Sequence, residues 1–244
     1  MNSMNIVKKL TPNKYNGRNG WKPDMIVCHI TEGSYEGSIS WLCNPASKAS
    51  AHFVVGRDGR ITQLVELTDT AWCNGTSTDP NSSVYYGKSS LEAVRERKTN
   101  ANYYTISIEH EGYYSQTGGN LTSAQLTATI DLIKYIRSEV KRIYGIDIPA
   151  DREHIVGHYQ INPVTKPNCP GEKFPFDYII VELNRKEAAN LTWKEIIKKV
   201  ASAPEEWENA ITVAVNAAKA DGNLGALEQF KYLPELIEKI YSNR

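Results

Sequence analysis

No charge of either sign prevails in this chain of 244 residues: 28 basic side chains are matched by 28 acidic ones, and the formal net charge is zero. A protein whose main partner is nucleic acid neutralises phosphates with a basic excess on some face; no Lys/Arg block of that kind occurs, so nucleic acid is not the expected partner. Nor does any apolar run approach the roughly 18–20 residues that a bilayer-spanning helix requires, and no membrane insertion is expected. Met1 to Leu10, with Asn2, Ser3, Asn5, Lys8 and Lys9, lacks the sustained apolar core of a secretory signal. Synthesis in the cytoplasm without a signal peptide is the expectation. The four cysteines form no C-x-x-C pair, and a chain this long does not depend on disulfide staples. With 41% hydrophobic residues, the chain has enough apolar material for one substantial core plus a small appendage.

Asp24 to Ile30 is a short apolar run bounded by turn residues and reads as a buried strand, with His29 near its C-terminal end. Ser50 to Val55 and Arg60 to Val65, joined by Gly56-Arg-Asp-Gly59, read as an antiparallel hairpin. Thr78 to Asn102 is polar and turn-rich, a surface loop with one helical turn. From Tyr104 to His110 the pattern alternates: Tyr104, Ile106, Ile108 and His110 share one face, while Thr105, Ser107 and Glu109 share a polar face directed away from the core. Thr122 and Gln125 make a capping-box pattern ahead of Leu126, Ile130, Ile133, Ile136, Val140 and Ile143, and Gly145 supplies the stop of an amphipathic helix. His154 to His158 reads as a short strand followed by a Pro/Asn-rich loop. Strands interleaved with helices predict an α/β fold, a central mixed β-sheet flanked by helices.

Beyond about Leu183 histidine and cysteine vanish, glycine is absent until Gly222, and helical periodicity takes over. Thr192 with Glu195, and Ser202-Ala-Pro-Glu205, open helices, and Asp221-Gly222 closes one. The expected division is residues 1–186 as the main domain and 187–244 as a small C-terminal all-helical unit.

Three cysteines, Cys28, Cys43 and Cys73, read as buried or half-buried thiols. Cys169 differs, because it lies in Lys166-Pro-Asn-Cys-Pro-Gly171, where the prolines exclude helix and central strand and leave the thiol available for chemistry. His154 and His158 have the spacing of a helical zinc peptidase, but Ile155 replaces the glutamate that must follow the first histidine. A long-range set of His29, His158 and Cys169 is the better constellation, although spacing alone does not establish it.

Ile26-Val-Cys-His29-Ile-Thr, Ser50-Ala-His-Phe-Val-Val with Asp58-Gly59 and Gln63-Leu-Val, Thr70-Ala-Trp72, Thr105-Ile-Ser-Ile-Glu109, and Val156-Gly-His158 followed by Asn168-Cys-Pro-Gly resemble, block by block and in order, the zinc-dependent N-acetylmuramoyl-L-alanine amidases. This type-2 family includes phage endolysins, bacterial autolysins and peptidoglycan recognition proteins, and the resemblance spans roughly residues 20 to 183. It implies a Zn2+ ion held by His29, His158 and Cys169 with the fourth position left to water, Glu109 as the proton-transferring base, and Lys166 as the group that stabilises the oxyanion. Two residues, Pro167 and Asn168, separate Lys166 from Cys169 where the family usually has one, and Cys73 replaces a histidine common after the Ala-Trp pair. Its implied partner is bacterial peptidoglycan, cut between N-acetylmuramic acid and L-alanine, with His52, Trp72 and Cys73 toward the substrate. On this reading the enzyme, an endolysin or autolysin, acts on the cell wall, and the C-terminal helices bind the wall or mediate self-association. Two other classes are a non-catalytic peptidoglycan-binding module, against which Cys169 argues, and a zinc peptidase acting within the stem peptide.

Overall fold

The structure, a computed structural model, describes residues 5–189; the helices expected beyond Leu191 lie outside the described residues. In chain order the strands are β1 (Ile6–Lys8), β2 (Lys14–Tyr15), β3 (Met25–Ile30), β4 (Phe53–Val55), β5 (Ile61–Gln63), β6 (Thr70–Ala71), β7 (Thr105–His110) and β8 (Ile155–Gly157). The helices are α1 (Tyr35–Leu42), α2 (Glu92–Arg97), α3 (Tyr114–Thr117), α4 (Ser123–Tyr144), α5 (His158–Ile161) and α6 (Phe176–Ala189). Six strands form one mixed sheet in the order β1-β5-β4-β7-β3-β8, in which only the β4–β5 pair is antiparallel. That pair is the hairpin expected from Gly56-Arg-Asp-Gly59. Among the described residues no helix is long and apolar enough to cross a membrane.

The three parallel strands β7, β3 and β8 form the centre of the site. Their side chains alternate between two faces because strand periodicity is two. Ile26, Cys28, Ile106 and Ile108 pack under α4, against Leu132, Ile133, Ile136 and Val140, together with Phe174, Ile179 and Leu183. At roughly 1.5–3 kcal/mol per fully buried large aliphatic side chain, this layer supplies most of the driving force for the fold. Met25, Val27 and Val156 point the other way and pack with Leu91, Val94, Ala101, Tyr104 and Ile161.

That second layer corrects two expectations. Segment 78–102 is not a plain surface loop with a single turn: α2 and a 3-10 turn at Ala101–Tyr104 cover the sheet, burying Leu91, Val94 and Ala101. The face carrying Thr105, Ser107 and Glu109 is therefore covered rather than solvated, and Thr105 and Ser107 are fully buried. Alternation alone shows which residues share a face. It does not show what lies on that face.

Helix α4 begins and ends where its capping residues require. Thr122 accepts from the Gln125 backbone N–H at 3.1 Å, and Gly145 adopts the left-handed conformation that terminates the helix. The Gln125 side chain does not close the expected capping box. Its amide donates instead to the carbonyls of Val55 and Glu111, each at 3.1 Å, and so ties the helix start to the strand ends.

Candidate active site

His29 is the fifth residue of β3 and is paired in register with Glu109 of β7; His158 follows directly on β8. Parallel pairing thus brings a histidine, a carboxylate and a second histidine to the C-terminal ends of three adjacent strands, where open α/β sheets collect their ligands. The fourth group, Cys169, comes from the loop after α5. Its carbonyl accepts from Tyr159 N–H at 2.9 Å and its own N–H donates to the Lys166 carbonyl at 3.2 Å. The loop then passes directly over Gly118 and Gly119: a Cβ at Gly119 or Gly171 would collide with the opposing backbone, so the close approach requires glycine at both positions.

The donor atoms of His29, His158 and Cys169 all lie within 4.8 Å of one another. The imidazoles meet edge to face with centroids 4.5 Å apart, and Cys169 Sγ is 3.8 Å from His29 Nδ1. Burial lowers the affinity of both rings for a proton, His29 well below its ordinary value and His158 to about 3, with the Lys166 charge adding to the effect. Both are therefore neutral bases with a lone pair to offer at physiological pH. Each has a neighbour on its other side. Asn162 contacts His158 Nε2 at 3.2 Å, and the side chain of Asn74 lies near the His29 ring. Partners of this kind fix the orientation of metal-binding imidazoles. Sequence reasoning missed both asparagines, since neither has any motif around it.

Glu109 Oε1 is 4.0 Å from His29 Nδ1, and burial raises its carboxyl to about 7. Its Oε2 is buried without a partner, as are Asn74 Oδ1 and Asn162 Oδ1. Unpaired polar atoms gathered around two imidazoles and a thiol are what a site built for an additional charged or polar group looks like. This donor set, two nitrogens and one sulfur with an acidic group beside them, fits zinc. Lys166 is on the surface of the loop, and its charge is felt at His29, His158, Cys169 and Glu109.

Of the three residues expected toward the substrate, Cys73 is inside the cluster itself, its Sγ 3.4 Å from His29 Nε2 and 3.7 Å from Glu109 Oε1. Trp72 is half-buried and packs on Tyr15 with ring centroids 5.2 Å apart. His52 does not belong with them. It is 1% exposed, held by Ser107 and Arg18 at 3.1 and 2.9 Å, in the position of a core histidine. His110 is likewise structural: its Nδ1 bonds the His29 carbonyl at 2.9 Å, steadying the end of β3.

A mixed sheet whose parallel strands bring two imidazoles and a largely buried glutamate to their C-terminal ends, with a thiol supplied by the loop that follows, has the donor set of a metallohydrolase site. A family model described as N-acetylmuramoyl-L-alanine amidase matches residues 19–172, and the chain belongs to that family. Its activity is hydrolysis of the peptidoglycan amide between N-acetylmuramic acid and L-alanine. N-acetylmuramoyl-L-alanine amidase A of Achromobacter lyticus is 36% identical over 162 residues, covering 62% of this chain and 77% of that protein. The 1,6-anhydro-N-acetylmuramyl-L-alanine amidase AmpD of Haemophilus influenzae is 32% identical over 130 residues, 53% of this chain and 56% of the relative. In fold, the chain is similar to the crystal structure of an AmpD selenomethionine derivative (TM-score 0.50, 21% identity, 73% of this chain and 93% of that one) and to the structure of PlyL (TM-score 0.51, 19% identity, 74% and 97%).

Proposed function

We propose that the amide hydrolysis depends on a zinc ion held by His29, His158 and Cys169, with Glu109 as the proton-transferring group. The observation that carries this reading is the convergence of two neutral imidazoles and a thiol, their donor atoms within 4.8 Å, on the face that also presents Glu109. Bound there, zinc supplies a Lewis acid that polarises the amide carbonyl and acidifies water to a pKa of roughly 7.

The remaining steps fall to the protein. Glu109 has a carboxyl whose affinity for a proton is raised to about 7, so at neutral pH its oxygens take up the proton of the attacking water and release it to the departing L-alanine nitrogen. Lys166 brings a positive charge to the rim, where negative charge develops on the carbonyl oxygen. His110 steadies the His29 backbone through its carbonyl, and Asn162 holds the His158 imidazole in place. Layers on both faces of the sheet keep bulk water from the buried side of Glu109 and strengthen these interactions.

Peptidoglycan is the substrate, and an endolysin or autolysin role at the cell wall follows from it. Residues 187–244 are proposed as a separate helical unit for wall binding or self-association. Digestion of purified peptidoglycan, with the new ends identified by mass spectrometry, tests the bond. Free L-alanine amino termini on intact glycan strands are expected, lost after chelation and restored by zinc. New reducing sugars, internal peptide cuts or chelator-resistant activity would overturn the reading.

A further inference from the structure

The proposed chemistry gives no part to Cys73, yet the backbone around this residue is pinned by side chains from other segments. Trp72 N–H donates to Ser50 Oγ at 2.8 Å, and the N–H groups of Cys73 and Asn74 both donate to Asn102 Oδ1, at 3.2 and 2.6 Å. Ser50 and Asn102 are themselves buried, and Asn74 is tied to Thr105 Oγ1 at 2.9 Å. The thiol is thus delivered to a fixed point. Its sulfur is 3.4 Å from His29 Nε2 and 3.8 Å from Nδ1; close to both nitrogens, it rests against the ring and is in line with neither. Its hydrogen goes to Glu109, whose Oε1 accepts from Sγ at 3.7 Å. The other atoms around this carboxylate give it no hydrogen bond: Oε2 has no partner, and His29 Nδ1 is 4.0 Å from Oε1. Among the described residues, Cys73 is the one donor to Glu109.

We propose that Cys73 is the positioning residue of Glu109: the thiol hydrogen, given to Oε1, holds the carboxylate beside the His29–His158–Cys169 cluster in the orientation that proton transfer requires. Strand β7 fixes the Glu109 backbone, but several rotatable bonds separate that backbone from the carboxylate, and nothing else in the site restrains them by hydrogen bonding. A thiol suits the purpose. It has one hydrogen to give and is a weak donor, so it steers the carboxylate without holding it in the ionised form as a buried guanidinium does. Glu109 stays free to take up a proton and release it.

The proposal rests on Glu109 as the proton-transferring group, and its test separates the two. Zinc-loaded full-length protein is compared as wild type, Cys73→Ala, Glu109→Gln and the double variant on soluble muropeptides, with zinc content measured in each. Cys73→Ala is expected to lose roughly 10- to 100-fold in kcat, the cost of a misplaced reacting group, with KM and zinc content unchanged. In the Glu109→Gln background the same substitution should cost nothing further, because the group it positions is gone. An equal loss in both backgrounds, a loss of zinc, or wild-type turnover in Cys73→Ala would overturn the role of Cys73 and leave Glu109 as assigned. Near-normal turnover in Glu109→Gln would overturn both. Infrared difference spectra between the wild type and Glu109→Gln read the hydrogen bond itself with Cys73 intact: the S–H stretching band is expected to move to higher frequency when the carboxylate acceptor becomes a neutral amide, and an unchanged S–H region would overturn the proposal.

Discussion

Replacing Glu109 with glutamine removes the ionisable proton while keeping the shape, and the structure makes two separable statements about the outcome. The first concerns turnover. A positioned general base contributes typically 10²–10⁴-fold, so the holoenzyme should lose two to four decades of kcat, about 1.36 kcal/mol of barrier for each. Zinc content should hold, because Glu109 is not among His29, His158 and Cys169. The second concerns stability after the metal is stripped with a chelator. The Glu109 side chain is 14% exposed, and its carboxyl is raised from 4.5 to about 7, chiefly by burial. Below pH 4.5 both folded and unfolded states are protonated and the substitution is neutral. As pH rises toward 7 the unfolded chain ionises first, so the wild-type fold is progressively penalised, and above 7 the penalty is constant. The shift sets a ceiling of roughly 3 kcal/mol. Metal-free Glu109→Gln should therefore melt several degrees above the metal-free wild type at pH 8 and at the same temperature at pH 4, as read by circular dichroism. Near-normal turnover would refute the base assignment; equal melting at pH 8 would refute the claim that burial sets this carboxyl.

Cys169→Ser should lower both zinc content, read by elemental analysis, and activity; full zinc with wild-type turnover would remove Cys169 from the ligand set. Thr122→Ala deletes the cap of α4 and should cost about 1 kcal/mol in denaturant unfolding, with little change in kcat. Arg18 is 4% exposed and donates to the carbonyls of Leu67, Tyr103 and Thr105 at 2.8, 3.1 and 3.1 Å, so Arg18→Met should destabilise by roughly 3 kcal/mol or more, and a loss under 1 kcal/mol would contradict the count of orphaned carbonyls. A chain ending at residue 189 should still cleave soluble muropeptides yet sediment less with whole walls, since tethering raises local concentration; unchanged sedimentation would sink wall binding by the C-terminal segment. The cut falls at 189 because α6 runs through Ala189, carrying Ile179 and Leu183 into the core.

Local patterns were legible where a local rule decides the outcome. The strand around His29, the hairpin at Gly56 to Gly59, and the Thr122 to Gly145 helix each depend on periodicity, turn chemistry or capping within a few residues. What could not be read is set by distant partners. The covering of the Glu109 face depends on residues 91–104 folding back across the sheet, and polar, turn-rich composition concealed the few apolar anchors that do it. The difference between His52 and His29 is similar. Both lie in apolar strand-like runs, yet one is enclosed by Arg18 and Ser107 and the other opens onto Cys73, Glu109 and His158. Resemblance to the amidase family named the groups worth watching; only the parallel pairing of β3 with β7 brings residues eighty positions apart into one register.

The site combines two kinds of support, and its chemistry follows from the combination. His29 and Glu109 stand at the ends of β3 and β7, interior strands paired on both sides, and His158 directly follows the edge strand β8, which pairs with β3; packed layers cover both faces of the sheet. Cys169, by contrast, is delivered by a loop held through its Tyr159 and Lys166 hydrogen bonds and by the close passage over Gly118 and Gly119. Groups that position a reacting centre gain from rigid strands, because small displacements are costly in rate. With zinc bound as proposed, a ligand supplied from a loop would complete the centre only when that loop is docked, so metal binding and docking of residues 166–171 would stabilise each other. Cys73, which lies just after the short β6 strand and faces the same imidazole, is the second sulfur offered from outside the central strands. The strand ends thus hold the nitrogens and the carboxylate, and segments outside the central strands hold the thiols, so the two kinds of donor are positioned by different parts of the fold.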